Sequence, residues 1–208
     1  MKLNSVNKKT IKKTEAFTLI EMIGVLAVIA ILAAMLIPRV FEAINNARIN
    51  NAAVTSETLK AAAADHYGKY GKFDQQFGTN ALTFTAGLST HYDTGVLIPE
   101  GLLDKPFSVK IGGGDPSTNC VLQLCQTAKD NGGNGYKLDG TNNATATAQF
   151  VLEEVIYGVS AADAKDLNDR IDGTALGTAL GTADAAGRVE YALPNNGTTT
   201  VYVYLTHR

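Results

Sequence analysis

The sequence predicts an α+β protein in which a long N-terminal helix packs on a small antiparallel sheet. Three observations predict it: an uninterrupted apolar run near the N-terminus, helical spacing of apolar residues beyond that run, and short β-rich runs in the remainder, separated by glycine, threonine and asparagine. A chain of 208 residues is long enough for one domain with an appendage and short for two.

The composition excludes several classes of protein. Lysine and arginine number 18 against 20 aspartate and glutamate, a net charge of −2, so no nucleic-acid partner is expected from a basic surface. Only 18% of the residues are charged and 7% are aromatic, which excludes a coiled-coil rod and a charge-driven disordered chain.

The apolar run extends from Phe17 to Ile37, and its only polar side chains are Thr18 and Glu21. A helix of its 21 residues is about 31 Å long, the thickness of a bilayer's hydrocarbon core. Five lysines and one acid precede the run, so we expect a cytoplasmic N-terminus and the rest of the chain outside. No small-residue cleavage site follows, which favours a retained anchor over a removed secretory signal.

Glu21 requires an explanation because a carboxylate in an apolar helix costs up to about 3 kcal/mol at the bilayer centre. One interpretation is that the side chain of Glu21 extends to the membrane interface. The other begins with a cut between Ala16 and Phe17, which would create an amino group on Phe17 one helical turn from Glu21. That cation could neutralise the carboxylate within one subunit or between neighbours.

Ala16 followed by FTLIE, an apolar run and Pro38 resembles the class III signal of type IV pilins and type II secretion pseudopilins. The resemblance implies that a prepilin peptidase removes residues 1–16 and N-methylates Phe17. It also implies that Glu21 attracts the amino terminus of an adjacent subunit, so that the chain forms a homopolymer through its N-terminal helices. An assembly ATPase and an inner-membrane platform are the other implied partners. Ala16 is a departure, since the family usually has glycine before the cut.

Beyond Pro38 the apolar residues keep a helical stripe, so the helix is predicted from Phe17 to about Tyr67, with Gly68 and Gly71 as stops. The upper half of this helix is the expected partner of the sheet. We therefore divide the chain into a leader (1–16), a helix (17–70) that spans the membrane at 17–37, and an α+β head (71–208).

Five strands are predicted in the head, and Asn196-Gly197 between the last two predicts a hairpin. The strands are Phe107–Ile111, Cys120–Leu124, Gln149–Ile156, Arg188–Leu193 and Thr199–Thr206. The segment Thr141–Thr147 is polar enough for a surface loop. A four-residue repeat with glycine at every fourth place predicts a flexible loop at 173–187.

A short helix is predicted after the capping box Ser160–Asp163. Acids recur along it at every third position: Asp163, Asp166, Asp169 and Asp172. They form either a solvated helix face, the favoured interpretation, or a calcium site, although the order of an EF-hand loop is missing. Asp172 lies at the C-terminal end of the helix, where Arg170 or Arg188 could offset its charge.

Cys120 and Cys125 are the only cysteines. In a head outside the cytoplasm an even number favours a disulfide, with free thiols as the alternative. On a straight strand the two residues would face opposite sides, so the bond would require a turn between them. Two thiols without well-spaced histidines make a poor zinc site, and no metal is predicted there.

We therefore expect a structural filament subunit and no enzyme, lying in the inner membrane before assembly and in a periplasmic or extracellular filament afterwards. A secretion pseudopilus and a surface type IV pilus are the two versions of this function. A filament-displayed module for binding or adhesion is an alternative, and an anchored hydrolase is a remote one, because Gly158-Val-Ser160 lacks the second glycine of a nucleophile elbow. No cofactor is expected, with calcium at the four aspartates as the alternative.

Overall fold

The computed structural model describes residues 17–75, 82–83, 88–115, 118–126 and 135–208. The chain divides into two compact units, Met1–Ile44 and Asn45–Arg208. The elements in chain order are helix α1 (Leu19–Tyr70), β1 (Leu88–Thr90), a π-helical turn (Asp93–Leu97), β2 (Cys120–Gln126), β3 (Phe150–Ser160), α2 (Ala161–Ile171), β4 (Val189–Tyr191) and β5 (Thr198–His207). The predicted α+β class is confirmed.

Helix α1 is 52 residues long and continues through Pro38. It ends at Gly71, whose φ of 70° lies in the left-handed region that glycine adopts without strain, and whose N–H donates to Tyr67 O at 2.7 Å. Gly71 is therefore a stop as predicted, whereas Gly68 lies within the helix.

The five strands form one antiparallel sheet in the order β1-β2-β3-β5-β4. Alternation along the strands places one set of apolar side chains on the face that joins the main core, where they are fully buried. These include Leu122, Leu124, Leu152, Ile156, Val201, Val203 and Leu205. Long apolar strands covered on both faces explain why β3 is buried over most of its length.

The second half of α1 supplies the other side of this core, as the sequence predicts. Its buried apolar residues are Ile49, Ala52, Leu59, Ala62 and Ala63. Together with the buried Ser56 they recur at three- and four-residue intervals, so they form one face of the helix. Alanine at three of these positions leaves room for the large side chains of the sheet.

The hairpin between β4 and β5 confirms the Asn-Gly signal. Asn196 and Gly197 have φ angles of 52° and 81°, as a two-residue turn with both central residues left-handed requires, and Asn195 bonds to Thr198 in both directions. Strand β4 is shorter than predicted and β5 slightly longer.

The strand predicted at Phe107–Ile111 is wrong. The alternation that suggested it is real, since Phe107, Val109 and Ile111 are all buried. However, the backbone there bonds to side chains instead of a neighbouring strand: Phe107 N–H donates to Asp93, and Ile111 O accepts from Asn119. Strand β1 and the π-helical turn, by contrast, were not predicted.

Two predicted loops are found without helix or strand. In Thr141–Thr147 every residue except Thr145 is exposed. The loop at 173–187 is anchored by the buried Asp184, which accepts hydrogen bonds from Asn168 Nδ2 at 2.7 Å and from Thr178 N at 3.1 Å. Its flexibility stays a prediction.

Candidate functional site

The first part of α1 presents apolar side chains that its own chain does not cover. Their exposed fractions lie between about one half and four-fifths from Leu19 to Ile44, and the most apolar stretch of the helix buries nothing. By length and composition this helix can cross a membrane. Since burying a large apolar side chain contributes roughly 1.5–3 kcal/mol, the surface requires lipid or other protein.

The helix begins with a capping box formed by Thr18 and Glu21. Thr18 N–H donates to Glu21 Oε2 at 2.8 Å, and Glu21 N–H donates to Thr18 Oγ1 at 3.3 Å. The Thr18 hydroxyl donates to the same carboxylate oxygen at 2.8 Å. Among the described residues no hydrogen bond reaches Oε1 of Glu21. Glu21 therefore caps its own helix with one oxygen and leaves the other available, a role that Thr-Leu-Ile-Glu could have indicated.

The structure describes some of the other predicted residues of this segment. Phe17 precedes the helix and is 80% exposed. Ala16 and the lysine-bearing leader lie outside the described residues, so the predicted cut stays a prediction. Pro38 lies inside α1 and does not end it.

Polar contacts join the second half of α1 to the head on two flanks. On one flank Arg48 Nε donates to Lys110 O at 2.7 Å. On the other, Asn45 donates to Asp163 at 3.2 Å, and Arg188 pairs with Glu57 at 2.8 Å. The Arg188 guanidinium holds the pKa of Glu57 below its usual value. The Arg48 and Glu57 contacts are exposed and the Asn45 contact is half-buried; each is individually weak, so they orient the helix more than they stabilise it.

Of the four aspartates at α2, three have partners and these differ; Asp172 is the C-cap of the helix. Asp163 accepts from Asn45, Asp169 pairs with Lys165 at 2.7 Å, and Asp172 Oδ2 accepts the backbone N–H groups of Arg188 and Val189 at 2.7 and 2.8 Å. Burial nevertheless raises the pKa of Asp172. In the described parts of the chain no three His, Cys, Asp or Glu side chains form a group that could hold a metal ion. Calcium binding at Asp163, Asp166, Asp169 and Asp172 stays a prediction.

The predicted disulfide between Cys120 and Cys125 is wrong. Both residues lie on the regular strand β2, where five steps along the strand separate their Cα atoms by about 16 Å, more than twice the span of a disulfide. They also belong to different clusters on the two faces of the sheet. Burial raises the pKa of the Cys120 thiol to about 11, which makes it unreactive.

Three buried acids in the strands were not predicted as functional candidates. Glu153 and Glu154 are neighbours on β3, and Glu190 lies on β4; their exposed fractions are 0%, 0% and 1%. Glu153 faces the side of the sheet away from α1, where Tyr136 OH donates to it at 2.6 Å and Gln123 and Cys125 also donate. Two consecutive acids inside the apolar run FVLEEVIYGV are a signal that could have found them.

Glu154 faces the opposite way, towards α1. Ser56 on the helix lies 2.6 Å from its Oε2, and both residues are buried. Burial raises the pKa of Glu154 to about 8, although the hydrogen bond to Ser56 opposes this. Among the described residues, the Ser56 hydroxyl is thus the hydrogen-bond partner of this carboxyl group, and its Oε1 has none.

A second buried pair lies near the end of α1. His66 Nδ1 is 2.8 Å from Glu100 Oε2, and neither side chain has exposed surface. The ring of Tyr92 meets the imidazole edge to face with centroids 5.8 Å apart. The pair joins the helix to the segment after the π-helical turn, which indicates a structural role for His66.

One shallow groove lies between the polar flank of α1 and the extended segment 103–108. Thr55 and Thr58 line it on the helix side, and Leu103 and Phe107 on the other. Asp104 and Lys105, in the same segment, also line it.

A family model for the prokaryotic N-terminal methylation motif matches residues 11–37. That range contains the predicted cut, Phe17, the capping box and the apolar part of α1, and the motif is characteristic of type IV pilins and pseudopilins. It supports a pilin-like or pseudopilin-like filament subunit. No curated protein and no solved structure matches the chain significantly.

Proposed function

We propose that the chain is a prepilin-type structural subunit that is cut between Ala16 and Phe17 and polymerises through α1. The observation that carries this proposal is the first part of α1, an apolar surface that its own chain leaves uncovered, with one acid at its capped start. The methylation motif over the same residues supports it. A long helix whose second half belongs to the head core would connect that head to a filament.

The mechanism rests on the charge of Glu21. After the cut, the new amino group of Phe17 carries a positive charge, whereas Glu21 retains an oxygen that its own cap does not use. A carboxylate at the edge of the bilayer is stabilised when a cation from the next subunit approaches it. Entry of a subunit into the filament would then replace lipid around the apolar residues by neighbouring helices.

The proposal includes the partners that the resemblance implies. A prepilin peptidase would process and methylate the chain, and an assembly ATPase with its inner-membrane platform would extract it. The head would lie outside the cytoplasm before assembly and on the filament surface afterwards. This description applies to a secretion pseudopilus and to a surface pilus, because both are built on the same helix.

The test separates the charge of Glu21 from its capping role. Glu21→Ala removes both, whereas Glu21→Gln retains an N3 residue that can cap the helix but carries no charge. We expect neither variant to form filaments in a strain with the assembly machinery, while both are processed to an N-methylated Phe17. Glu42→Gln, an exposed acid of the same helix, is the matched control and should assemble normally.

Filaments in the sheared fraction and the mature N-terminus by mass spectrometry are the two measurements. Normal filaments from Glu21→Gln would contradict the charge mechanism. Helix capping would then be the remaining role of Glu21. A mature chain that begins at Met1 would contradict processing, and with it the proposed function.

A further inference from the structure

Glu154 and Ser56 connect the two halves of the head core. Glu154 lies on β3, the middle strand of the sheet, and Ser56 lies on the buried face of α1, 98 residues away in the sequence. Ser56 Oγ lies 2.6 Å from Glu154 Oε2. The described side chains that surround this contact at the helix–sheet interface are apolar. The strength of this contact therefore influences how α1 packs on the sheet.

The Ser56 hydroxyl lies within hydrogen-bond distance of two oxygens. Ser56 Oγ lies 3.1 Å from Ala52 O, one helical turn earlier, as well as 2.6 Å from Glu154 Oε2. A serine hydroxyl has one proton, and a backbone carbonyl can only accept. When Ser56 donates to Ala52, the shorter contact is a hydrogen bond only if the carboxyl group of Glu154 is protonated and donates to the hydroxyl.

The surroundings of Glu154 also favour the neutral form. Its Oε1 is buried with no hydrogen-bond partner among the described residues. Its cross-strand partners, Leu122 on β2 and Val203 on β5, are apolar and fully buried. An isolated carboxylate in such a place is strongly disfavoured.

The titratable groups near this site carry no compensating positive charge. On β2 the nearest is Cys120, a buried thiol that Glu154 and Asp93 influence electrostatically. Asp93, in the π-helical turn, is itself an acid and accepts the N–H of Phe107. Strand β5 presents Val201, Val203, Leu205 and the uncharged Thr199 to this face, and α1 presents Ser56. In the described residues no lysine, arginine or histidine influences the titration of Glu154.

We propose that Glu154 and Ser56 form a proton-dependent lock between α1 and the sheet, closed while the carboxyl group holds its proton and loosened when that proton is lost. After ionisation the Ser56 hydroxyl must turn from Ala52 to the carboxylate, and Oε1 becomes a buried charge without a donor. The helix and the strand then separate far enough to admit water. This inference concerns the head alone and does not depend on filament assembly.

The pH window follows from the two states of the carboxyl group. In the folded chain the pKa is raised from its usual 4.5 to about 8. The stabilisation is therefore complete below about 4.5, declines as the pH rises, and is lost once the pH has passed about 8. Between these limits the unfolding equilibrium constant rises up to about tenfold per pH unit, since one proton is released on unfolding.

The experiment compares the full chain with its Glu154→Gln variant in detergent, by denaturant unfolding at pH values from 5 to 9. Glutamine has the same shape and no proton to lose, so we expect the variant to lack the tenfold rise per pH unit. The matched control is Glu57→Gln, which removes an exposed acid one residue from Ser56 and should keep the dependence of the parent chain. Equal pH dependence in the parent chain and Glu154→Gln would overturn the proposal.

A second measurement does not depend on the folding of a variant. Carbon-13 NMR of the full chain with carboxyl-labelled glutamate reports the protonation of Glu154 directly. We expect one glutamate signal to titrate near pH 8. If all the glutamates titrate below pH 6, the lock does not exist.

Discussion

The two parts of helix α1 differ in what they bury. From Leu19 to Ile44 nearly every side chain is exposed, although most are apolar, whereas from Asn45 onwards a regular face is buried against the sheet. The backbone is helical throughout, so the difference lies only in the partners. The second part finds its partners in its own chain, whereas the described residues supply none for the first part.

The same contrast holds for two acids in apolar sequence. Glu21 lies at an exposed helix start and uses one oxygen to cap its own helix. Glu154 is buried in the head, where the chain supplies a single hydroxyl. We infer that one acid retains its charge for a partner outside the chain, while the other is tolerated because it is neutral.

The largest expected effect comes from separating the two parts. A chain beginning at Asn45 lacks the exposed apolar surface and keeps the core, so we expect it to be soluble and monomeric without detergent and to unfold cooperatively. The full chain should require detergent or lipid. Analytical ultracentrifugation and thermal unfolding followed by circular dichroism measure both properties. Aggregation of the shorter chain would show that the head does not bury its own surface.

Thiol labelling rates should differ by orders of magnitude between the head and the first part of α1. Cys120 and Cys125 are 5% and 0% exposed, so they should react with a maleimide only when the head opens, about three orders of magnitude or more slower than an exposed thiol. Phe41→Cys, at a position 67% exposed in the first part of α1, should react at once in the detergent-solubilised subunit. Mass spectrometry after timed quenching gives the rates.

Assembly sharpens this test, because filaments should protect Phe41→Cys if neighbouring helices cover the first part of α1. Rapid labelling of the native cysteines would contradict the burial of β2. A mass two units lower before reduction would instead indicate a disulfide.

Local signals in the sequence predicted much of the fold. Gly71 ends the long helix, Asn196-Gly197 forms its hairpin, and Ser160 caps α2 by accepting from Asp163 N at 3.1 Å. Each of these features depends on residues within one turn of each other, which is why reading the chain was sufficient. The acid, the apolar run and the proline of the N-terminal segment are equally local.

The failures all depend on contacts between distant residues. The stretch from Phe107 to Ile111 alternates like a strand, but its hydrogen-bond partners are side chains elsewhere in the head. The disulfide was inferred from cysteine number, yet β2 runs straight through both positions. The environment of Glu154 depends on Ser56, 98 residues away, so sequence spacing gives no indication of it.

Truncation of one buried side chain gives a smaller effect. Leu59→Ala removes a side chain that is 2% exposed at the helix–sheet interface, and we expect it to lower the free energy of unfolding by about 2–5 kcal/mol. Ile29→Ala, at a position 55% exposed in the first part of α1, is the matched control and should leave the unfolding of the head unchanged. Denaturant unfolding in detergent measures both. Equal losses would mean that the whole helix unfolds with the head.

The smallest effect comes from replacing one glycine in each part of α1. Gly24 and Gly68 are both helical, and a Cβ added at either position would meet nothing within 4 Å. Alanine in a helix is favoured over glycine by about 0.5–1 kcal/mol, so Gly68→Ala should raise the free energy of unfolding of the head by that amount. Gly24→Ala should not change it, because that turn of the helix lies outside the head core. A gain from Gly24→Ala as large as that from Gly68→Ala would show that the two parts fold as one cooperative unit, so that they differ in their partners but not in the order of their folding.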